Sequence, residues 1–523
     1  MNNRKTTKLI NGLSRRDFLG VMAAGVAAAH TLPLRAAVAG EPAPGFSPTW
    51  ESLQHYRCPD WFRDAKLGLF AHWGPQSVPR QGDWYARNMY IQGHRHYEYH
   101  LKHYGHPSKF GYKDIIPLWK AENWDPQALM RRYKKAGAKY FVALGCHHDN
   151  FACWNSKAHR WNSVNFGPKK DIVGLWRKAA LQEGLRFGVT EHIAWSWSWF
   201  NVNKGADQSG PYAGVPYDGN DPRFQDLYHE PHEENGAHYP VNASEIWKQR
   251  WYERVSDLVA QHLPDLLFTD GGIPFGDYGL RQLANFYNDN IARNGDKLDA
   301  VYNLKRVIHG KGVGFYGDYQ DGVGVLDLER GVVDGIQSEP WQCDTSVGDW
   351  FYREDVKFRT ADIVIHMLAD TVSKNGNMML NFQLLPDGTF DAPTDRILEN
   401  FTRWMMVNGL AIYATRPWKV YGEGPTKIKV GELTERQNQP FTPEDFRFTT
   451  KGKALYAFCL GLPKQDITIK SLGTNAGLWQ KPITQVRVLG SEEKLQWSRE
   501  GEHLRIKPLP NWPCDYALVF EVV

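Results

Sequence analysis

The sequence of 523 residues is short of the features that most directly identify a protein class. Its six cysteines are scattered and form no CxxC pair, so a structural zinc site is not expected. We expect the cysteines to be free, buried thiols. The 62 basic residues are balanced by 58 acidic ones, which gives no sign of a nucleic-acid partner. The sequence contains no internal repeat and no low-complexity tract.

The chain is instead long and rich in aromatic residues. A chain of this length can bury a large core, and we expect two domains, one of them a large barrel. Phe, Trp and Tyr make up 13% of the residues, and 21 of them are Trp. Indole rings pack well against the C–H faces of sugars, although large enzymes also use aromatic residues as core.

The first 39 residues are predicted to be a targeting signal and not part of the fold. Arg15 and Arg16, in the run SRRDFL, resemble a twin-arginine export signal. The apolar stretch at 18–29 is too short to span a bilayer, and residues 37–39 (AVA) offer a small-residue cleavage site. The predicted location is periplasmic or secreted, and the alternative is a membrane anchor that stays attached.

Short buried strands alternate with amphipathic helices through most of the chain. Apolar runs predict strands at 66–72, 139–144, 185–189, 266–269, 301–303 and 378–381. Apolar stripes at helical spacing predict helices at 125–135, 171–184, 244–262, 360–373 and 391–408. This alternation implies a parallel sheet with right-handed crossovers. We predict an imperfect, TIM-like (β/α)8 barrel over residues 40–416.

The helical period disappears after about residue 417. Short β runs separated by turn signals follow at 454–460, 466–469, 486–489, 504–506 and 517–522. This pattern predicts a C-terminal antiparallel β-sandwich over residues 417–523.

The predicted strand that ends at Asp270 is the most informative stretch of the chain. The run LLFT at 266–269 is followed by Asp270 and two glycines. In α/β barrels, catalytic groups lie at the C-terminal ends of the strands. The alternative is that Asp270 only caps the next helix or shapes a Gly-rich turn. Other predicted strand ends also supply polar residues, and together they predict a site: His72, His147, His148, Glu191, His192 and Asn303.

Two reaction classes fit these strand-end residues. Metal-dependent hydrolysis would use His147, His148, Asp149 and Asp270 as ligands. Adjacent residues of an extended chain point to opposite faces, however, and the sequence has no HExxH motif and no Cys/His cluster. Glycoside hydrolysis needs two carboxylates, with imidazole and indole groups to hold the sugar, and it suits the set better. We therefore predict no metal ligand.

A series of motifs resembles glycoside hydrolase family 29, the α-L-fucosidases, over about residues 50–420. These motifs are WFRDAKLGLFAHWGP at 61–75, DWY at 83–85, GAKY at 137–140, HHD at 147–149, WNSV at 161–164, SKNGN at 373–377, LN at 380–381, DGT at 387–389, VNG at 407–409 and IY at 412–413. The resemblance implies an imperfect barrel with a C-terminal β-sandwich, a retaining mechanism, and neither metal nor cofactor.

The resemblance also assigns roles to residues. Asp270 matches the nucleophile of the family. The imidazoles of His72, His147 and His148 match those that bind fucose hydroxyls. Asp83 and Trp84 match a Glu-Trp pair of the family, with an Asp side chain that is one methylene shorter than Glu.

The sequence departs from the family near the expected sugar pocket. Phe268 stands where many members have Trp, and a Thr-Glu-His sequence at 190–192 replaces a strand end that contains Tyr. We nevertheless place Glu191, His192 and Trp341 among the substrate-binding residues.

The acid/base residue is harder to assign because its position varies within the family. Many members have Trp-Glu where this chain has Trp341 and Gln342, and Gln cannot transfer a proton. Glu329, in the run DLERG, resembles the acid/base segment of one branch of the family and is our prediction. Glu339 is the alternative acid/base residue. For each of the two glutamates, the non-catalytic alternative is that it only forms a surface ion pair.

The predicted function is that of an exported, retaining exo-α-L-fucosidase, with a fucosylated oligo- or polysaccharide as substrate. An α-L-galactosidase is an alternative on the same scaffold, because the two sugars differ only at C6. A non-catalytic sugar-binding barrel is a second alternative, for which Gln342 is the hint. We predict no nucleic-acid partner and no membrane association of the mature form, and the sequence does not indicate an oligomeric state.

Overall fold

The computed structural model describes residues 45–523 apart from 235, 237–239, 241 and 307–316. The predicted export signal at 1–39 therefore lies outside the described residues. Across the described part of the chain, no helix combines the length and apolarity needed to cross a bilayer. The six cysteines are unpaired thiols, as expected.

Eight parallel strands close into a barrel in sequence order. The strands are β1 (Leu67–Ala71), β2 (Tyr140–Cys146), β3 (Arg186–Glu191), β4 (Leu266–Thr269), β5 (Val301–Lys305), β6 (Val325–Asp327), β7 (Trp341–Ser346) and β8 (Gly376–Asn381). The barrel closes where β1 pairs with β8, with Leu69 opposite Leu380. All the strands run in the same direction, so their C-terminal ends lie on one face of the barrel.

Helices connect most of these strands. Their bounds are α1 (Trp50–Leu53), α2 (Asp60–Ala65), α3 (Tyr85–Asn88), α4 (Arg95–His103), α5 (Tyr112–Ile115), α6 (Pro126–Lys135), α7 (Ile172–Gln182), α8 (Ser196–Trp199), α9 (Gln225–Tyr228), α10 (Glu245–His262), α11 (Asp277–Arg293), α12 (Ala361–Ser373) and α13 (Ala392–Asn408). The predicted cap of α7 is present, because the side chain of Asp171 accepts a hydrogen bond from the N–H of Gly174.

The strands of the barrel are buried on both faces, as expected for a parallel sheet covered by helices. Gly68 of β1 faces the ring of Tyr140 on β2, and a Cβ at Gly68 would lie 2.1 Å from that ring. A larger residue at this position would push the first two strands apart. The glycine of the GLF motif is therefore required by barrel packing.

The barrel is irregular at β6 and β7, two strands that the sequence pattern did not indicate. Strand β6 has three residues, and it is paired with β7 at Asp327 and Gln342. Residues 328–340 between them form no helix. Strand β7 (WQCDTS) is fully buried although four of its six residues are polar, so it lacks the apolar run that indicates a buried strand.

The C-terminal region contains two antiparallel sheets, which confirms the predicted fold class. One sheet has the order β13–β16–β11–β10–β9, and the other β12–β15–β14. Their bounds are β9 (Arg416–Glu423), β10 (Phe446–Lys451), β11 (Ala454–Cys459), β12 (Ile467–Ile469), β13 (Val486–Val488), β14 (Trp497–Arg499), β15 (Leu504–Ile506) and β16 (Leu518–Val522). The domain boundaries at 40–416 and 417–523 stay predictions.

Helices α12 and α13 join the barrel to this sheet region. The indole N–H of Trp404 on α13 donates to the carbonyl of Ala517 over 2.8 Å. Asp370 of α12 forms a buried ion pair with Arg447 of β10 over 2.5 Å. These buried contacts hold the sheet region against one side of the barrel.

Candidate active site

Asp270 follows β4 directly and lies in a pocket at the C-terminal end of the barrel. Its main-chain N–H donates to the carbonyl of Glu191 on β3, and its carbonyl accepts from the indole of Trp195 over 2.8 Å. The pocket is lined by Phe70, His72, Asp83, Trp84, His147, His148, His192, Trp195, Asp270, Lys305, Glu329, Asp344 and Trp350. Of the predicted strand-end residues, Glu191 and Asn303 do not line this pocket, and the others do: His72, His147, His148, His192 and Asp270.

Lys305, the last residue of β5, lies between the two predicted catalytic carboxylates. Its Nζ is 2.7 Å from Oδ1 of Asp270 and 2.7 Å from Oε2 of Glu329. These two oxygens can therefore be no farther apart than twice 2.7 Å. The lysine side chain is almost fully buried, so its charge is weakly screened by water.

The second oxygen of Asp270 faces two imidazoles. Its Oδ2 lies 3.1 Å from Nδ1 of His192 and 3.4 Å from Nε2 of His148. Burial opposes ionisation of Asp270, but Lys305 and the two histidines outweigh it and hold the pKa of Asp270 well below its usual range. Asp270 is therefore a carboxylate at neutral pH.

Glu329 is fixed from both sides. Its Oε1 accepts a hydrogen bond from the indole N–H of Trp350 over 3.0 Å, while its Oε2 faces Lys305. Glu329 lies in the loop after β6, two residues beyond Asp327. This loop brings it to the same end of the barrel as Asp270.

Three histidines of the pocket are neutral. Burial, reinforced by neighbouring imidazoles, lowers the pKa of His72 and His147 well below the usual value, and burial lowers that of His148 to about 3. Neutral imidazole is both a donor and an acceptor of hydrogen bonds. Such groups suit sugar hydroxyls, which also donate and accept.

His147 and His72 differ in their partners. The amide nitrogen of Gln76 donates to Nδ1 of His147 over 2.9 Å, and Nε2 of His147 lies 3.6 Å from Oδ1 of Asp83. Both ring nitrogens of His72 are buried and have no hydrogen-bond partner among the described residues. Because an unpartnered buried polar group is costly, His72 is suited to bind a polar ligand in the pocket.

Asp83 and Trp84 enter the pocket from the loop before α3. Trp84 adopts a left-handed backbone conformation, with φ of 62°, which a bulky residue rarely adopts. Burial, and the nearby Asp349, raise the pKa of Asp83 well above its usual range. The raised pKa favours the protonated carboxyl group, which can donate a hydrogen bond to a ligand.

Further carboxyl groups surround Lys305. Asp344 of β7 lies 3.8 Å from its Nζ, and burial together with the neighbouring Asp327 raises the pKa of Asp344 well above its usual range. Burial raises the pKa of Asp327 to about 7 and that of Glu432, from the segment after β9, to about 8. Buried like charges this close are unfavourable, so the protonated form of these groups is favoured.

The structure corrects three predicted site residues. Glu191 points away from the pocket and accepts hydrogen bonds from Thr269 and Trp251, because it faces α10. Trp341 begins β7 at the opposite end of the barrel and donates to the carbonyl of Lys374. Glu339 precedes β7 at that same end and is exposed, so it cannot reach Asp270.

The metal set considered from the sequence is not assembled either. Asp149 turns away from the pocket and accepts a hydrogen bond from Tyr112. Two other groups within the described chain have ligand atoms within 4.8 Å of one another: His147, His148 and His192, and His72, Asp83 and His147. Of these residues, the family resemblance assigns His72, His147 and His148 to sugar hydroxyls.

Sequence reasoning missed Lys305, Asp344, Trp195 and Trp350. The predicted fifth strand stopped at Asn303, whereas β5 runs two residues further to Lys305. Applying the strand-end rule to the true end would have found the lysine. Asp344 and Trp350 belong to and follow β7, which the sequence did not indicate as a strand.

A closed parallel barrel whose strand ends hold two neighbouring carboxylates, neutral imidazoles and indoles defines the site of a glycoside hydrolase. Comparison with known families gives the particular one. Residues 34–410 match the alpha-L-fucosidase family, and residues 437–522 match the alpha-L-fucosidase C-terminal domain. The chain belongs to the alpha-L-fucosidase family.

Relatives of this family align over most of the chain. Tissue alpha-L-fucosidase of Bos taurus is 28% identical, over 87% of this chain and 85% of its own length. The mouse (Mus musculus) enzyme of the same name is 27% identical, over 90% and 93%. The structure of Thermotoga maritima alpha-fucosidase in complex with fucose is 26% identical, with a TM-score of 0.69 over 91% of this chain and 100% of its own. The chain is accordingly an enzyme, a glycoside hydrolase of the α-L-fucosidase type.

Proposed function

We propose that this enzyme is an exported, retaining exo-α-L-fucosidase that releases terminal α-L-fucosyl residues from glycans. Asp270 is the nucleophile and Glu329 the acid/base. The observation that carries the proposal is that Lys305 contacts both carboxylates at 2.7 Å. The two contacting oxygens are therefore no farther apart than twice 2.7 Å. This is compatible with the about 5 to 5.5 Å between the carboxyl groups of retaining enzymes and too short for the about 6.5 Å or more of inverting enzymes.

The reaction then runs in two steps. A carboxylate oxygen of Asp270 attacks the anomeric carbon, the bond to the glycosidic oxygen breaks, and Glu329 gives that oxygen its proton. Glu329, now a carboxylate, removes a proton from water, whose oxygen attacks the same carbon and releases Asp270. Each step inverts the anomeric centre, so the product keeps the configuration of the substrate.

The charges of the pocket suit the nucleophile and the second step. Asp270 is held as a carboxylate, which is the form that attacks. Lys305 faces the carboxylate of Glu329, which is the form that activates water in the second step. The neutral histidines hold the fucose hydroxyls without adding charge near the anomeric carbon, and the raised pKa of Asp83 favours an uncharged carboxyl group beside them.

Azide rescue of two variants tests the two assignments. We expect Asp270→Gly to lose turnover and to form β-L-fucosyl azide from an α-fucoside with a good leaving group, because azide replaces the nucleophile. We expect Glu329→Ala to form α-L-fucosyl azide, because azide replaces water in the second step. The same anomer from both variants would overturn the mechanism.

A parallel substrate comparison tests the sugar. p-Nitrophenyl α-L-fucoside should be hydrolysed in preference to the matching α-L-galactoside. Preference for the galactoside would instead identify the enzyme as an α-L-galactosidase.

The proposed export follows the twin-arginine route, on the strength of Arg15 and Arg16 ahead of an apolar stretch. Replacing both arginines with lysine should hold the precursor in the cytoplasm, whereas a matched Lys5→Arg and Lys8→Arg variant should be exported. Fractionation and blotting measure the distribution. Unchanged export of the Lys-Lys variant would contradict this route.

A further inference from the structure

The loop that carries Glu329 is held by a segment from the C-terminal region of the chain. This segment, residues 431–435, follows β9 and runs beside residues 329–332. Four main-chain hydrogen bonds join the two stretches: Gly431 N–H to Val332 O (2.8 Å), Val332 N–H to Gly431 O (3.2 Å), Leu433 N–H to Glu329 O (3.0 Å) and Glu435 N–H to Arg330 O (3.1 Å). The main chain of Glu329 is thus fixed from outside the barrel.

Glu435 ends this segment with a buried carboxylate. Its side chain is 3% exposed and pairs with Arg330 over 3.2 Å and with Arg359. It also accepts a hydrogen bond from the hydroxyl of Thr345 on β7 over 2.8 Å. A carboxylate is buried without large cost only when its charge and hydrogen bonds are matched, and Glu435 is matched on both counts.

Arg330 connects Glu435 to the pocket. Its guanidinium carbon lies 4.7 Å from the centroid of the Trp350 ring, in a cation–π contact. The N–H of that same indole donates to Oε1 of Glu329. Arg330 also has a left-handed backbone, with φ of 45°, so it is held in an uncommon conformation.

From these contacts we infer that Glu435 is a positioning residue for Glu329, acting through Arg330 and the Trp350 indole. The inference rests on the proposed role of Glu329 as acid/base. Glu435 does not line the pocket around Asp270, and its effect is to hold the indole that orients the Glu329 carboxyl group. Displacing a catalytic group by about 1 Å costs on the order of a hundredfold in rate, so a remote contact of this kind has measurable consequences.

Dependence on the leaving group distinguishes positioning from general destabilisation. Proton donation matters little when the leaving group departs readily and much when it is a sugar or an unactivated phenol. A variant that merely weakens the fold lowers the rate on both substrates by the same factor. A variant that misplaces Glu329 lowers it selectively on the poor leaving group.

The experiment compares Glu435→Gln in the full-length enzyme with Asp370→Asn. Asp370 is the matched control because it is also a buried carboxylate on two cations, Arg447 and Lys374. Among the described residues, none of its hydrogen bonds or ion pairs reaches the Glu329 loop. For Glu435→Gln we expect kcat/KM to fall by on the order of tenfold or more on phenyl α-L-fucoside and to change little on the 2,4-dinitrophenyl substrate. Asp370→Asn should affect both substrates equally.

Arg330→Met provides a second route to the same test. Glu435 keeps its ion pair with Arg359 in this variant, so the buried charge stays compensated while the link to Trp350 is lost. We expect the same selective loss. Equal loss on both substrates, or no loss, in folded Arg330→Met and Glu435→Gln would overturn the inference.

Glu329→Gln, measured in parallel, separates this inference from the proposed function. A selective loss in Glu329→Gln without one in the Glu435 and Arg330 variants would refute the positioning role alone. No selective loss in Glu329→Gln would refute the acid/base assignment, and the positioning role with it.

Discussion

The ammonium of Lys305 lies 2.7 Å from the carboxylate of Asp270, and both groups are buried at the end of neighbouring strands β4 and β5. This ion pair explains how a buried carboxylate remains ionised. Without a cation, burial raises the pKa of an acid, because the charged form loses its hydration.

Replacing Lys305 should therefore move the pH profile. Because Lys305 lowers the pKa of Asp270, Lys305→Met should raise it, so activity should begin to fall at a higher pH on acidification. At neutral pH we expect kcat/KM to drop on the order of a hundredfold, the usual cost of losing one preorganised charge. The profile on an aryl fucoside measures both effects.

Lys305→Arg is the control for this prediction, because it keeps the charge and changes only its shape. Its acidic limb should lie near that of the wild type. A Lys305→Met profile that keeps the wild-type acidic limb would show that Lys305 does not set the ionisation of Asp270.

His72 should contribute to sugar binding. Both of its ring nitrogens are buried and unpartnered among the described residues, so a bound hydroxyl gains a hydrogen bond that the free enzyme lacks. His72→Phe should weaken L-fucose binding by about 1 to 3 kcal/mol. Calorimetric titration measures this, with His366→Phe, a buried histidine outside the pocket, as control. Equal affinity of His72→Phe and wild type would refute the role.

Glu432 should make the fold less stable as the pH rises. Its pKa is raised from 4.5 to about 8, so the folded protein keeps a proton that the unfolded chain loses between these values. The folded state then binds more protons, and the free energy of unfolding falls with pH by at most about 1.4 kcal/mol per unit from this group. Glu432→Gln should flatten that decline.

Urea denaturation at about pH 5 and about pH 8 measures the effect on the free energy of unfolding. The wild type should lose more stability than Glu432→Gln between the two values. An equal loss in both proteins would show that Glu432 is not the group that takes up the proton.

Activity should survive chelation. The clustered atoms of His147, His148 and His192 are assigned here to the sugar, and no step of the proposed mechanism uses a cation. Incubation with EDTA followed by assay should leave kcat/KM unchanged. Loss of activity that one metal restores would show that this cluster is a metal site and would contradict the proposed mechanism.

The sequence predicted the barrel well where its strands are apolar. Strands β1 to β5 and β8 were found because their residues are hydrophobic and helices follow most of them, and the same rule placed Asp270 and the histidines correctly. It failed at β7, where buried polar residues replace an apolar run, as with Gln342, which donates a hydrogen bond to Asp327 inside the barrel. Glu191 was misassigned because successive strand residues face opposite sides.

The link from Glu435 to Glu329 was beyond sequence reasoning for a different reason. The two residues are more than a hundred positions apart, and their connection depends on how the segment after β9 folds back onto the barrel. No local pattern of residues indicates such a contact. It requires the three-dimensional structure.

The most direct test of the whole account is to trap the covalent intermediate. With 2-deoxy-2-fluoro-α-L-fucosyl fluoride, the enzyme forms a covalent glycosyl ester quickly because fluoride is a good leaving group. This ester is hydrolysed slowly, because fluorine at C2 destabilises the oxocarbenium-like transition state. We predict that the intact mass increases by one fluorofucosyl group and that peptide mapping places it on Asp270. Absence of an adduct from an enzyme that turns over aryl fucosides, or an adduct on another residue, would contradict the proposed mechanism.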